Sequence, residues 1–201
     1  MTVSGFIVYA LPRSRTKWLS VFLTYGGWTC HHEAAPFMRG LEDVISLFQR
    51  PNTGAAETAA APGWRLLAHH LPELRSVVVR RPVADVVRSV MHMDTGGVAT
   101  YDEASLLPLM TREARDLDRI AARPGVLTLD FADLEREDAC AAIFEHCLPF
   151  RFDRGWWLSL RDRNIQADIA GKLRYFFAHR EAIEGFKRAC KSELRRIAGA
   201  A

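Results

Sequence analysis

The chain contains no GxxxxGK[ST] segment, which argues against an ordinary ATPase or kinase. Its four cysteines, Cys30, Cys140, Cys147 and Cys190, show no CxxC spacing and no matched Cys/His pairs. Zinc is therefore not expected, nor any other metal, and the thiols read as reduced side chains of a cytoplasmic protein. No stretch approaches the roughly 18 consecutive apolar residues that a membrane-spanning helix needs. The apolar N-terminal stretch lacks a preceding basic region, so it reads as a strand rather than a signal peptide. Internal repeats are absent. Acidic residues are missing from the whole N-terminal stretch before Glu33. A net charge of +3 is too small to imply nucleic acid as a partner, so the basic groups matter through their placement.

What the chain does have is a concentrated basic turn. Phe6 to Leu11 reads as a buried strand, broken at Pro12. Arg13, Ser14, Arg15, Thr16 and Lys17 follow, and an amphipathic helix is expected over 16–25 with Trp18, Leu19, Phe22 and Leu23 on its apolar side. A strand feeding such a turn brings backbone N–H groups, a helix dipole and three cations to one place. That is a recipe for holding an anion.

The rest of the chain alternates short apolar runs with helical periods. Strands are expected at 28–31, 65–69, 76–79 and 126–129. Helices are expected at 37–49, 82–93, 103–123, 135–147 and 172–198, with Pro82 suited to the first turn of its helix. Residues 51–63 read as a loop with at most one helical turn. The pattern predicts one domain over 1–201, a three-layer αβα arrangement around a central parallel sheet. Residues 155–201 form its mainly helical C-terminal part. Trp156 and Trp157 are expected to pack that part onto the sheet. Tyr175, Phe176, Phe177, Ile183, Phe186 and Leu194 are expected to form the buried face of the last helix. The basic turn at 13 and a second at 80 both leave the carboxyl ends of strands, where parallel sheets bind ligands.

Together these two turns resemble the sulfotransferase family, which takes a sulfuryl group from 3′-phosphoadenosine 5′-phosphosulfate. Pro12-Arg13-Ser14-Arg15-Thr16-Lys17 is similar to the family's Pro-Lys/Arg-Ser-Gly-Thr-Thr. Val77-Val78-Val79-Arg80-Arg81-Pro82, with Ser89 beyond it, is similar to the apolar strand ending in Arg-x-Pro with a Ser on the next helix. Val126 to Leu134 echoes the family's later strand and its Glu-Asp-Leu segment. Three departures stand out. Arg15 occupies the usual Gly position, Arg88 rather than Ser89 falls at the usual spacing, and the C-terminal Gly-rich donor segment has only Arg161, Arg163 and Lys172 as weak substitutes.

The resemblance implies a P-loop NTPase-like fold and a small-molecule nucleotide donor, used without a metal. Backbone amides at 14–17 would hold the 5′-phosphate, with Ser14 and Thr16 as hydroxyl donors and Arg15 and Lys17 as nearby cations. Arg13 would meet the charge developing on the bridging oxygen, while Arg80, Arg88 and Ser89 would face the 3′-phosphate. For the general base the family offers two precedents: Glu33, placed after the first helix, and His70, in His69-His70-Leu71-Pro72. The acceptor is left open, with residues 51–63 and 94–105 as the expected acceptor loops. A second reading is a non-catalytic sulfotransferase-like module that binds nucleotides or other anions.

Overall fold

The computed structural model describes residues 5–93, 95–97 and 99–199. Five strands form one all-parallel sheet: β1 (Phe6–Ala10), β2 (Thr29–His32), β3 (Thr53–Glu57), β4 (Arg75–Arg80) and β5 (Leu127–Asp130). Their spatial order is β2-β3-β1-β4-β5, which puts β1 at the centre.

Side-chain alternation along the strands divides the core into two layers. Phe6, Val8, Ala10, Val77 and Val79 face α1 (Thr16–Phe22), α6 (Glu137–Cys147) and α7 (Arg154–Leu160). Ile7, Tyr9 and Val78 face the other way. They meet α2 (Leu41–Gln49), α3 (Trp64–His70), α4 (Val83–Met91) and α5 (Glu103–Ala121). Cys30, Cys140 and Cys147 belong to the first of these cores as unpaired thiols.

Two expectations are corrected here. Residues 51–63 do not form a loop: Thr53–Glu57 is a fully buried strand between β2 and β1. Thr-Gly-Ala-Ala-Glu has little strand propensity, but small residues let the neighbouring strand pack closely. A Cβ on Gly54 would lie 2.2 Å from the Phe6 ring, which occupies that space. Residues 65–69 are not a strand either, because they lie inside helix α3. Adjacent Leu66 and Leu67 are both buried, and so short an apolar run carries no decisive period.

The C-terminal part follows α7 with two helices rather than one, α8 (Ile169–Ala178) and α9 (Arg180–Gly199). They divide at His179, whose ring stacks on Tyr175 at 4.1 Å. The expected apolar face is correspondingly weak. Ile183 is buried, whereas Phe177 is 58% exposed and α8 buries no residue fully. The paired tryptophans do pack as expected. Trp157 is buried in the core, and the Trp156 Nε1–H donates to the Phe22 carbonyl at 2.9 Å. In return, the Trp18 Nε1–H donates to the Leu160 carbonyl at 2.9 Å, so indoles staple α1 and α7 in both directions.

Among the described residues, no helix is long and apolar enough to cross a membrane.

One buried charge makes a prediction about stability. Glu57 ends β3, nearly fully buried, with Oε1 accepting the backbone N–H groups of Ala34 and Ala35 at 2.6 and 3.2 Å. Burial pushes its carboxyl up to about 8, despite those two donors. Glu113 on α5 is likewise raised by burial, to about 7. Both groups hold protons in the folded state that the unfolded chain has released. The stability these two protons contribute is therefore expected to fall as pH rises, by up to about 1.4 kcal/mol per unit and group. The net fall is expected between about 6.5 and 8, above the range in which His32, lowered by burial to about 4, gives the opposite slope. Urea unfolding at several pH values would measure the slope. Glu57→Gln, which keeps the Oε1 acceptor, should remove the Glu57 share of that slope and leave the share of Glu113, and a slope unchanged in Glu57→Gln would contradict this assignment.

Candidate functional site

At the carboxyl end of β1, the chain turns through two left-handed residues that are not glycine. Arg13 has φ 64° and Arg15 has φ 58°. Each such residue costs about 1–2 kcal/mol, so this turn is held by its surroundings rather than by local preference. Arg15 thus keeps the backbone conformation that glycine would adopt and adds a cation to it. Its guanidinium lies 3.6 Å from Glu135 and 6.0 Å from the centre of the Trp18 ring. The first helical bond of α1 runs from the Leu19 N–H to the Arg15 carbonyl, so the N–H groups of Thr16, Lys17 and Trp18 precede the ladder.

This turn forms one side of a cavity of about 540 Å³. Arg13, Arg15, Thr16 and Lys17 line it from the turn, His32 and Glu33 from the end of β2, and Arg81 and Ser89 from the segment after β4. The stretch 161–167 between α7 and α8 lines it as well, including Arg161, Arg163 and Gln166. Arg161 is paired with Asp162 at 3.1 Å. Among the described residues, Lys17 and Arg163 have no carboxylate within ion-pair distance. The cavity is thus cationic, with Glu33 and Asp162 as its acidic lining residues.

The two basic turns are joined directly. The Arg81 guanidinium donates to the Arg13 carbonyl and lies 4.3 Å from the centre of the Phe131 ring. The Arg13 side chain donates from Nε to the Ser89 hydroxyl and from Nη1 to the Gln166 amide oxygen, each at 3.3 Å. Partial burial lowers the Arg81 pKa from its ordinary value, and nearby Arg13 pushes the same way.

Behind the turn lies a polar network. Thr16 Oγ1 is 3.2 Å from His32 Nε2, and His32 Nδ1 is 2.8 Å from Lys172 Nζ on α8. Lys172 also donates to Glu33 Oε2, while the Thr58 hydroxyl donates to Glu33 Oε1 at 2.9 Å. Glu33 itself sits in a left-handed turn at φ 50°, and its N–H is bound to the Ala56 carbonyl. Burial alone would raise the Glu33 carboxyl, but the hydrogen bond and charge of Lys172, together with the Thr58 hydroxyl, hold it below its usual range. Burial lowers His32 to about 4, with Lys172 and Lys17 adding to the effect, so its ring is neutral near pH 7.

Several expected site residues lie elsewhere. Arg80 points to the α5 layer and pairs with Asp118 at 3.1 Å. It follows Val78 in side-chain parity, so the sheet alternation that turns it away hands the cavity to Arg81. Arg88 is exposed and pairs with Asp85, leaving Ser89 as the residue on α4 that meets the turn. Ser14 is fully buried, and its hydroxyl has no partner among the described residues; the two left-handed arginines turn outward and it turns in. His70 does not reach the cavity. It ends α3 in the other helical layer, 3.1 Å from Glu193 of α9.

The expected acceptor loops also stand apart. Residues 51–63 hold β3, and Glu103–Ser105 open α5. Asp94 and Val98 lie outside the described residues, and none of the described residues of 94–105 lines the cavity.

Sequence reasoning passed over Arg81, His32, Lys172 and Gln166 as principal site residues. Alternation along β4 could have favoured Arg81 over Arg80. His32 and Glu33 are neighbours in sequence, whereas Lys172 is separated from them by most of the chain. No local signal connects it to the site.

No family model matches this chain, and no curated protein does. Among solved structures, the crystal structure of a gluconokinase from Sinorhizobium meliloti 1021 is similar, with a TM-score of 0.50. The likeness covers 80% of this chain and 95% of that one, at 13% sequence identity. The fold is P-loop NTPase-like. In this P-loop-like chain, the turn after β1 has two arginines in the left-handed region and lacks the Walker lysine pattern.

Proposed function

We propose that this P-loop-like protein is a nucleotide-dependent sulfotransferase, moving a sulfuryl group from 3′-phosphoadenosine 5′-phosphosulfate to an acceptor hydroxyl. One observation carries the reading: the two turns that resemble the family's signatures meet across a single cationic cavity, through Arg81 to Arg13 and Arg13 to Ser89. That junction suits a nucleotide with phosphates at both ends. The wall at 161–167 supports it too, because it supplies cations where the family's Gly-rich segment has no counterpart.

In this reading the residues divide as follows. Lys17, Arg15 and the N–H groups of the turn bind the 5′-phosphate. Arg81 and Ser89 replace Arg80 and Arg88 at the second signature, with Arg163 also lining the cavity. The acceptor oxygen attacks sulfur, and the bond from sulfur to the bridging oxygen breaks in line. The electron pair leaves on the 5′-phosphate of adenosine 3′,5′-bisphosphate, where Arg13 stabilises the developing charge. Glu33 takes the acceptor proton. The acceptor is expected in the adjoining groove of about 250 Å³, which shares Lys17 and His32 with the cavity and is walled by Phe37 and Tyr175. These rings lie 4.7 Å apart.

The engagement of Glu33 by Lys172 and Thr58 favours the second reading, a binding module in which that carboxylate is structural. Isothermal titration separates these ideas from phosphoryl transfer. Adenosine 3′,5′-bisphosphate is expected to bind more tightly than adenosine 5′-monophosphate or ATP. A folded protein that ignores the bisphosphate at millimolar concentration would overturn both nucleotide readings. Tighter binding of ATP would redirect the assignment toward phosphoryl transfer.

A further inference from the structure

The network behind the turn contains more direction than its distances alone convey. Thr16 and His32 come from α1 and β2, which follow one another in the chain, whereas Lys172 comes from α8, far along it. An ammonium has three donors and no acceptor. The contact of Lys172 Nζ with His32 Nδ1 at 2.8 Å therefore requires that nitrogen to be the unprotonated one. A neutral ring then carries its proton on Nε2, which faces Thr16 Oγ1 at 3.2 Å. Thr16 must accept that hydrogen bond, so its own hydroxyl proton is committed to another acceptor. Among the described residues no protein acceptor is within reach of it, and Thr16 lines the cationic cavity.

We propose that Lys172 and His32 are positioning residues that fix the imidazole tautomer and thereby aim the Thr16 hydroxyl proton at an anionic oxygen in the cavity. The inference rests on the nucleotide reading for the identity of that anion. It does not need that reading for the tautomer. The groups facing the ring all favour this arrangement. Lys172 and Lys17 disfavour an imidazolium, and Glu33, whose Oε1 is 3.8 Å from Nε2, favours a proton on that nitrogen. Burial of the ring, only 8% exposed, removes water as a competing partner.

The same relay makes α8 part of the anion site without touching the anion. Removing the Lys172 donor frees the ring to protonate at Nδ1 or to turn. Thr16 then becomes free to spend its proton on the ring instead of the ligand.

Nitrogen NMR of the His32 ring, in the unliganded full chain, reads the relay directly. The wild type should show a neutral ring protonated at Nε2 throughout pH 6–8. Lys172→Met should produce a mixed tautomer or a ring that titrates in that range, and Lys172→Arg should restore the wild-type signature. In parallel, Lys172→Met and Thr16→Val should each weaken adenosine 3′,5′-bisphosphate about 10-fold, the loss of one hydrogen bond to a charged group. Lys172→Arg should recover most of that loss.

A wild-type ring protonated at Nδ1, or a signature unchanged in Lys172→Met, would overturn the relay. So would a wild type that binds the nucleotide measurably but no more tightly than Lys172→Met does. Wild-type protein that shows the expected tautomer but binds no nucleotide would overturn the nucleotide reading, and the assignment of the tautomer would stand.

Discussion

If the chain has the proposed sulfotransferase activity, replacing Glu33 by Gln is expected to slow sulfuryl transfer by about 10²–10⁴-fold, the usual contribution of a positioned general base. Affinity for adenosine 3′,5′-bisphosphate should change little, because the carboxylate is assigned to the acceptor side. Gln keeps the size of the side chain and can still accept from the Thr58 hydroxyl. What it loses is the negative charge facing Lys172, whose side chain is only 21% exposed. Some stability should go with it, so unfolding must be measured beside rate. The remaining charges also set the acid limb of the pH–rate profile. Lys172 holds the Glu33 carboxyl low, so activity should persist to a pH below the ordinary carboxylate range. Single-turnover transfer from a labelled donor measures the effect. His70→Ala supplies the contrast: it removes the other base candidate, which faces Glu193 and not the cavity, and should leave the rate alone. Normal transfer by folded Glu33→Gln would end the assignment of this residue as base.

Arg13→Ala should lower the rate by about 10²–10³-fold, as expected for loss of a group that stabilises charge in the transition state. Arg13 is unusual because its backbone matters as well as its charge. Its φ of 64° is unfavourable for alanine and indifferent for glycine. Arg13→Gly should therefore be more stable than Arg13→Ala by about 1 kcal/mol, with the same kinetic defect. That pair separates the two roles. If Arg13→Gly restored activity, the guanidinium would be dispensable and the backbone would carry the function. Arg13→Lys keeps a charge but gathers its donors on one compact ammonium in place of the planar fork, and is expected to lose one of the two contacts to Ser89 and Gln166. An intermediate rate is expected of it.

Much of the sheet was legible from the chain alone. Phe6–Ala10 is apolar and Arg75–Arg80 and Leu127–Asp130 have short apolar, β-branched centres, all too short for helices, so burial leaves them one sensible role. The basic turn was legible for the same reason, since Pro12 ends the strand and five polar residues follow. Thr53–Glu57 was hidden because its side chains are small, and its place depends on Phe6 needing the space above Gly54. Leu66 and Leu67 are adjacent, and adjacency alone does not choose between helix and strand.

The site divides along the same line. By itself the sequence determined that two cation-rich turns leave the ends of strands, because apolar runs and turn residues act locally. It also determined that Glu33 follows the first helix. Tertiary structure alone decided which groups face the cavity: Arg81 over Arg80, Ser89 over Arg88, Glu33 over His70. It alone brought Lys172 to His32 across the gap between β2 and α8. Strand alternation is local, but which face of the sheet carries the cavity depends on packing between distant elements, and that is not written in any one stretch of the chain. Arg15 shows both halves at once. Its charge was plain in the sequence, while its glycine-like φ of 58° is imposed by the fold around it.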